Sequence, residues 1–204
     1  APTPIPTVTA TPSPTPTPRP SPTPTPKPDQ EVWLTPNGAT DDLMDLFNRP
    51  DLWPQSRNAV HALKLYHQQL TNNCPNCGNN ILSTFIRNNA FSKLKSWNIK
   101  LAVEAGAIKG WDCTGTADAS NGIISTARDV AVAGSSLSAI AMDEPLIGGL
   151  DNCSLSIDET AKRTINFINA VHAQFPQIAI GDIVAYPHHS VATLKSWIDA
   201  LYKY

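Results

Sequence analysis

The sequence predicts an α/β fold, a parallel sheet covered by helices; an open doubly wound sheet and a (β/α)8 barrel both fit, and the expectation is the barrel, with about five β/α units present. Three observations carry that expectation. Short apolar runs begin near residues 32, 60, 99, 137 and 178, and amphipathic stretches fill the intervals between them. The runs are nearly continuous rather than strictly alternating, as buried parallel strands are. Acidic residues close several of the runs, at the end of the strand where a barrel keeps its site.

An extended head precedes this region. Twelve of the 19 prolines lie in the first 28 residues, in Thr/Ser-Pro repeats such as Thr15-Pro16-Thr17-Pro18. The stretch has no aromatic residue and almost no bulky apolar one, so it cannot bury enough surface to offset its ordering entropy. Residues 1–30 are therefore read as a disordered linker, and 31–204 as the folded part. As polyproline II the linker would reach up to roughly 90 Å, at about 3.1 Å per residue. Its Ser and Thr suit O-glycosylation in an exported, extracellular protein. A spacer also implies a further domain or an anchor on its N-terminal side. The head carries Arg19 and Lys27 and no acid, which leaves 13 basic and 17 acidic side chains for the rest. That balance argues against nucleic acid as a partner. No apolar run approaches the ~18 residues that a membrane span needs.

The elements follow in order. Val32-Trp33-Leu34-Thr35 is a short strand closed by Pro36-Asn37-Gly38. Thr40 can cap a short helix with Asp41 and Asp42 in its first turn, ended by Asn48-Arg49-Pro50. The stretch 58–69 fits a helix or a strand. Val60 to Tyr66 is read as a strand because it completes the alternation. Ile81 to Trp97 carries one broad apolar face and reads as a single amphipathic helix. Ile99 to Ala107 is a strand, with Ile99, Leu101 and Val103 facing helices and Lys100, Ala102 and Glu104 facing the barrel interior. Ile123 to Gly134 is a helix and Leu137 to Met142 a strand. Ser156-Ile157-Asp158-Glu159 has the capping-box pattern and opens a further helix. Ile178 to Ile183 is the fifth strand, and Val191, Leu194, Ile198 and Leu201 mark the last helix. No phosphate-binding glycine fingerprint follows the first strand, which removes the commonest open-sheet nucleotide binder. Five units are fewer than a closed barrel's eight, so more units are expected beyond Tyr204.

The four cysteines point to an oxidising compartment. Cys113 and Cys153 follow the third and fourth strands, whose loops should lie side by side, so a Cys113–Cys153 disulfide is expected. Cys74 and Cys77 would form a local clip. A four-cysteine zinc site is the competing reading, but it needs two close pairs. Redox catalysis by Cys74 and Cys77 would need a helix opening after a strand.

The candidate chemistry lies in the strand-end acids. Glu104 is placed inside the barrel near its active end, where a carboxylate needs a partner or a proton; Lys64 is the candidate partner for a purely structural ion pair. Asp143-Glu144-Pro145 ends the fourth strand, and strand parity aims only one of the two acids inward. Asp182, Tyr186 and His188, near the end of the fifth strand, are candidate sugar or metal contacts. His188 and His189 are expected to diverge, so no metal site is assigned and no cofactor is expected. Trp111, in the loop after the third strand, is a candidate sugar-stacking platform. Lys64, His67 and Gln68 end the second strand. Trp33, Trp97 and Trp197 read as packing residues.

Asp143-Glu144-Pro145 on a fourth β/α unit resembles the Asn-Glu-Pro of the large retaining glycoside hydrolase clan with (β/α)8 barrels. The resemblance implies that Glu144 is the general acid/base. Asp143 stands where the clan has an asparagine that contacts the sugar 2-hydroxyl. The clan's nucleophile lies on a seventh strand, beyond this chain. A glycosidase needs two carboxylates flanking the bond, and Glu104 with Glu144 is the candidate pair if they lie ~5–10 Å apart.

Three functions fit these residues. The first is a secreted glycoside hydrolase acting on a poly- or oligosaccharide. The second is a metal-dependent sugar isomerase or epimerase with Glu104, Glu144, Asp182 and His188 as ligands of Mg2+ or Mn2+. The third is a non-catalytic module that binds glycans or a partner through the same mouth.

Overall fold

A computed structural model describes residues 30–36, 41–71, 81–109, 113 and 117–204. The proline-rich linker, Trp111, Cys74 and Cys77 lie outside the described residues.

The described chain runs β1 (Trp33–Leu34), α1 (Asp45–Asn48), α2 (Pro54–Ala59), β2 (Ala62–Tyr66), α3 (Leu82–Arg87), α4 (Ala90–Ser96) and β3 (Lys100–Ala105). It continues with α5 (Ala117–Val132), β4 (Ala139–Asp143), α6 (Pro145–Ile147), α7 (Ile157–His172), β5 (Ala179–Ile183) and α8 (Val191–Lys203). All five strands are parallel, and they lie in the sheet in chain order, β1-β2-β3-β4-β5. The ambiguous second stretch is a strand, as its place in the alternation requires.

Strand parity divides the sheet into two unlike faces. Leu63, Leu65, Leu101, Val103, Ala105, Ile140 and Met142 point one way and join one core cluster. Helix side chains complete that cluster: Phe47, Phe85, Phe91, Leu94, Ile123, Val130, Phe167 and Val171. Each such side chain contributes about 1.5–3 kcal/mol by leaving water, so this interlayer is the main source of stability. The opposite face carries two rows in register, Lys64-Ala102-Ala139-Ala179 and Tyr66-Glu104-Ala141-Gly181. Lys100, Ala102 and Glu104 thus face away from the helices, as alternation predicts.

Two local expectations need correction. The span Ile81–Trp97 is two helices, not one. Asn89 takes a left-handed conformation, φ 54°, between them, which asparagine tolerates better than most residues. The Asn88 side chain donates to the Thr84 carbonyl at 2.8 Å, competing with the helix for that acceptor. At α7 the Ser156 hydroxyl accepts from the Glu159 amide at 3.1 Å, but the Glu159 carboxylate turns to Arg163 (2.7 Å) instead of closing the box.

Cys113 and Cys153 are disulfide-bonded, with Cα atoms 5.4 Å apart across 40 residues of sequence. This excludes a four-cysteine zinc site. The bond ties the loop after β3 to the loop after β4, and Arg163 of α7 donates to the Cys113 carbonyl beside it. Among the described residues no helix is long and apolar enough to cross a membrane.

The disulfide's effect is measurable. Replacing both Cys113 and Cys153 by serine is expected to lower unfolding free energy by about 3–4 kcal/mol, from the loop entropy released to the unfolded chain. Urea denaturation reads this directly; a double variant as stable as the parent would contradict it.

Candidate active site at the carboxyl ends of the strands

Asp143 and Glu144 are adjacent but have different surroundings. Asp143 shares its face with Ala139 and Ala141, away from the helices, and its Oδ2 lies 2.8 Å from Lys109 Nζ. Lys109 follows β3 and is almost wholly buried. Glu144 ends the strand at φ 49°, ψ 51°, directly before Pro145, the first residue of α6. A left-handed non-glycine residue costs about 1–3 kcal/mol, and a following proline restricts it further. Its amide donates to the Met142 carbonyl (3.1 Å), and its carbonyl accepts from the Gly148 amide (3.0 Å). Its half-buried carboxylate makes no hydrogen bond or ion pair among the described residues.

Glu104 is in a different state. It pairs with Lys64 of the neighbouring strand, and both side chains are nearly buried, 12 % and 13 % exposed. Each charge neutralises the other in a place where neither could stand alone.

Asp182 lies on the other side of the sheet from Glu104. It pairs in register with Met142 and so faces the helices. The buried Trp197 of α8 donates its indole N–H to Asp182 Oδ2 at 2.7 Å. Asp182 Oδ1 is buried and has no partner. Burial pushes the carboxyl up to about 6; the Trp197 hydrogen bond works against that shift and the nearby Glu144 charge adds to it. Asp182 is therefore within electrostatic reach of Glu144 but turned from the face that carries Glu104 and Asp143. Parity with Ile178 and Ile180 signals this orientation, and the stripe Leu194, Trp197, Ile198 and Leu201 signals its partner.

The turn after β5 holds Tyr186, which is 70 % exposed, and His188. His188 Nε2 lies 2.6 Å from Asp151 Oδ2, and its ring meets that of His189 edge to face at 4.8 Å. The two histidines were expected to diverge, but they converge, because they sit in a turn rather than on a strand or helix. His188 does not join Glu104, Glu144 and Asp182 in one ligand set. Among the described residues the three-residue donor group is Asp151, His188 and His189.

Further residues matter that sequence patterns passed over, as with Lys109 and Asp151, or gave another or lesser role, as with Trp33 and His67. Lys109 and Asp151 lie in loops without periodicity, so nothing local marks them. Trp33 is not a core residue: it lines a cavity of about 530 Å3 on the face without helices, over Lys64, Ala139, Ala141, Ala179 and Gly181. His67 follows β2, and burial holds its imidazole down at about 4, so the ring is neutral. Its Nδ1 is buried without a partner, and a side chain on Gly122 would begin 3.4 Å from the ring.

Asp182 and His67 act oppositely on stability. The folded state holds a proton on Asp182 up to about 6 where the unfolded chain releases it near 3.8. Asp182 therefore costs stability progressively as pH rises through that window, by up to about 3 kcal/mol. His67 stays neutral to about 4 where the unfolded chain protonates near 6.5, so it costs stability as pH falls through that window. Asp182→Asn should steepen the acid loss between pH 6 and 4 relative to the parent, and His67→Gln should flatten it. Urea unfolding across that range measures both; variant profiles parallel to the parent's would contradict the assignment. No protein-family model matches the chain, and a search of curated proteins finds no match.

Proposed function

We propose that the chain is part of a secreted carbohydrate-active enzyme that hydrolyses glycosidic bonds by carboxylate acid/base chemistry, with Glu144 as the proton donor. One observation carries the reading. Glu144 is the strand-end acid held in a strained backbone conformation while its carboxylate is left unpaired. Strain of this kind concentrates where geometry serves function, and unpaired carboxylates beside a second acid are suited to proton transfer. Its place, at the end of the fourth strand and before a proline, is that of the acid/base in the barrel glycosidases the tripeptide resembles.

The rest of the proposal follows from the sheet. Strands in chain order with helices on one face are what a (β/α)8 wall has, and the face bearing Glu104 would be its interior. Glu104 is the second carboxylate, held in place by Lys64. Trp33 offers an apolar wall beside Lys64 and a floor of alanines and glycine, a surface on which a sugar ring can stack. Asp143, with Lys109, is a polar contact, and Tyr186 and Trp111 are further contacts for a poly- or oligosaccharide. Export is supported by the Thr/Pro linker composition and the formed disulfide. The linker would join this unit to a further domain or an anchor.

The test is a comparison of two variants on a panel of plant and microbial polysaccharides, read by released reducing ends. Glu144→Gln should lower turnover by at least about 100-fold with an unchanged melting temperature. Glu104→Gln should lower both activity and stability, the latter by about 3 kcal/mol, because it strands the Lys64 ammonium. Full activity in Glu144→Gln would overturn the acid/base role. Saturable glycan binding without turnover by the parent would show a binding module instead.

A further inference from the structure

We propose that Asp151, His188 and His189 form a binding site for a divalent transition-metal ion of the zinc class. One donor atom from each residue lies within 4.8 Å of the other two, and His188 Nε2 and Asp151 Oδ2 are already 2.6 Å apart. His189 supplies an independent observation. Its Nε2 is buried and has no hydrogen-bond partner, and a buried polar atom left so costs stability unless something takes its lone pair. A metal ion at the centre of the three residues would do so.

The donor set defines the ion. Two imidazoles and one carboxylate match the ligands of open zinc sites and of other first-row divalent ions, and not the all-oxygen shells of Ca2+ or Mg2+. Bonds of about 2.0–2.1 Å in tetrahedral geometry set donors about 3.3 Å apart. The widest pair must therefore close by roughly 1.5 Å. Side-chain rotation can supply this, since His188 and Asp151 are 52 % and 43 % exposed.

The backbone that carries the ligands is already fixed. Asp151 belongs to the single π-helical turn Gly148–Asn152 that continues α6. Two residues on, Cys153 is disulfide-bonded to Cys113. Gly148 lies so close to β3's end that a Cβ there would meet the Ile108 carbonyl oxygen at 2.0 Å. His189 precedes Ser190, whose hydroxyl caps α8 by accepting from the Thr193 amide at 3.1 Å. Only the three side chains have to move. The bound ion would clasp the loops after β4 and β5, as the disulfide clasps those after β3 and β4. With three protein ligands, a fourth position would open to solvent for water or a substrate oxygen. The site shares no ligand with Glu104, Glu144 or Asp182, so it stands apart from the glycosidase reading.

The test uses the untagged, chelator-stripped full chain titrated with Zn2+ by calorimetry, with Asp151→Asn and His189→Ala in parallel. The parent should bind one Zn2+ per chain, with a melting temperature that rises with Zn2+ concentration. Each variant should bind at least about 10-fold more weakly while keeping the metal-free melting temperature. In the parent, Zn2+ should shift the imidazole resonances of His188 and His189 and leave those of His61 and His172 in place, a readout that needs no variant. Absence of saturable binding by the parent would overturn the proposal. So would unchanged affinity in both variants, or shifts confined to the other histidines.

Discussion

The rest of this structure depends on one chiral constraint. A crossover between adjacent parallel strands is almost always right-handed. When every strand is laid beside its predecessor in the same direction, every crossover returns on the same side. The observed order β1-β2-β3-β4-β5 therefore puts the helices in one layer and leaves the other face to Lys64, Glu104, Ala141 and Asp143. The bulky apolar residues of each strand must have the parity that meets the helices, and they do. The same constraint collects the loops that follow β3, β4 and β5 at one end of the sheet, where the acids and histidines lie.

Those loops are then held by short-range contacts of different kinds. The disulfide joins two of them covalently. Lys109, from the first, reaches Asp143 at the start of the second. The second can lie this low only because Gly148 and Gly149 have no side chains: a Cβ on Gly149 would fall 2.2 Å from Thr160 Oγ1 of α7. The His188–Asp151 contact brings in the third loop. Within this frame three of the four strand-end acids are compensated. Glu104 has Lys64, Asp143 has Lys109, and Asp182 has the Trp197 indole N–H. Glu144 is the one whose carboxylate is left to act on something else.

Much of the fold was legible in the chain because it rests on repetition. Five apolar runs, the helix stripes between them and the alternation along Lys100–Ala105 each express a period that the backbone imposes, and Ser156 marks a helix start by its capping pattern. Parity also placed Glu104 opposite the helices and named Lys64 as its partner. What stayed hidden depends on single residues in irregular backbone. Asn89 breaks a helix whose apolar stripe runs straight through the break. Ion pairing by Lys109 and the turn that brings His188 and His189 together have no period to betray them. The strain at Glu144 is likewise a property of one φ angle. Asp182 is an intermediate case: its parity and the helix stripe that carries Trp197 are both periodic, while the stranding of its Oδ1 without a partner is not.

Glu144 is set apart from the other strand-end acids by a carboxylate without a partner among the described residues. Carbodiimide coupling of glycine ethyl ester to the native protein, followed by peptide mass spectrometry over time, measures this for every acid at once. Glu144 should be modified several-fold faster than Glu104 and Asp182, which are ion-paired or buried. Protection of Glu144 at the rate of those two, or faster reaction at Glu104, would contradict it.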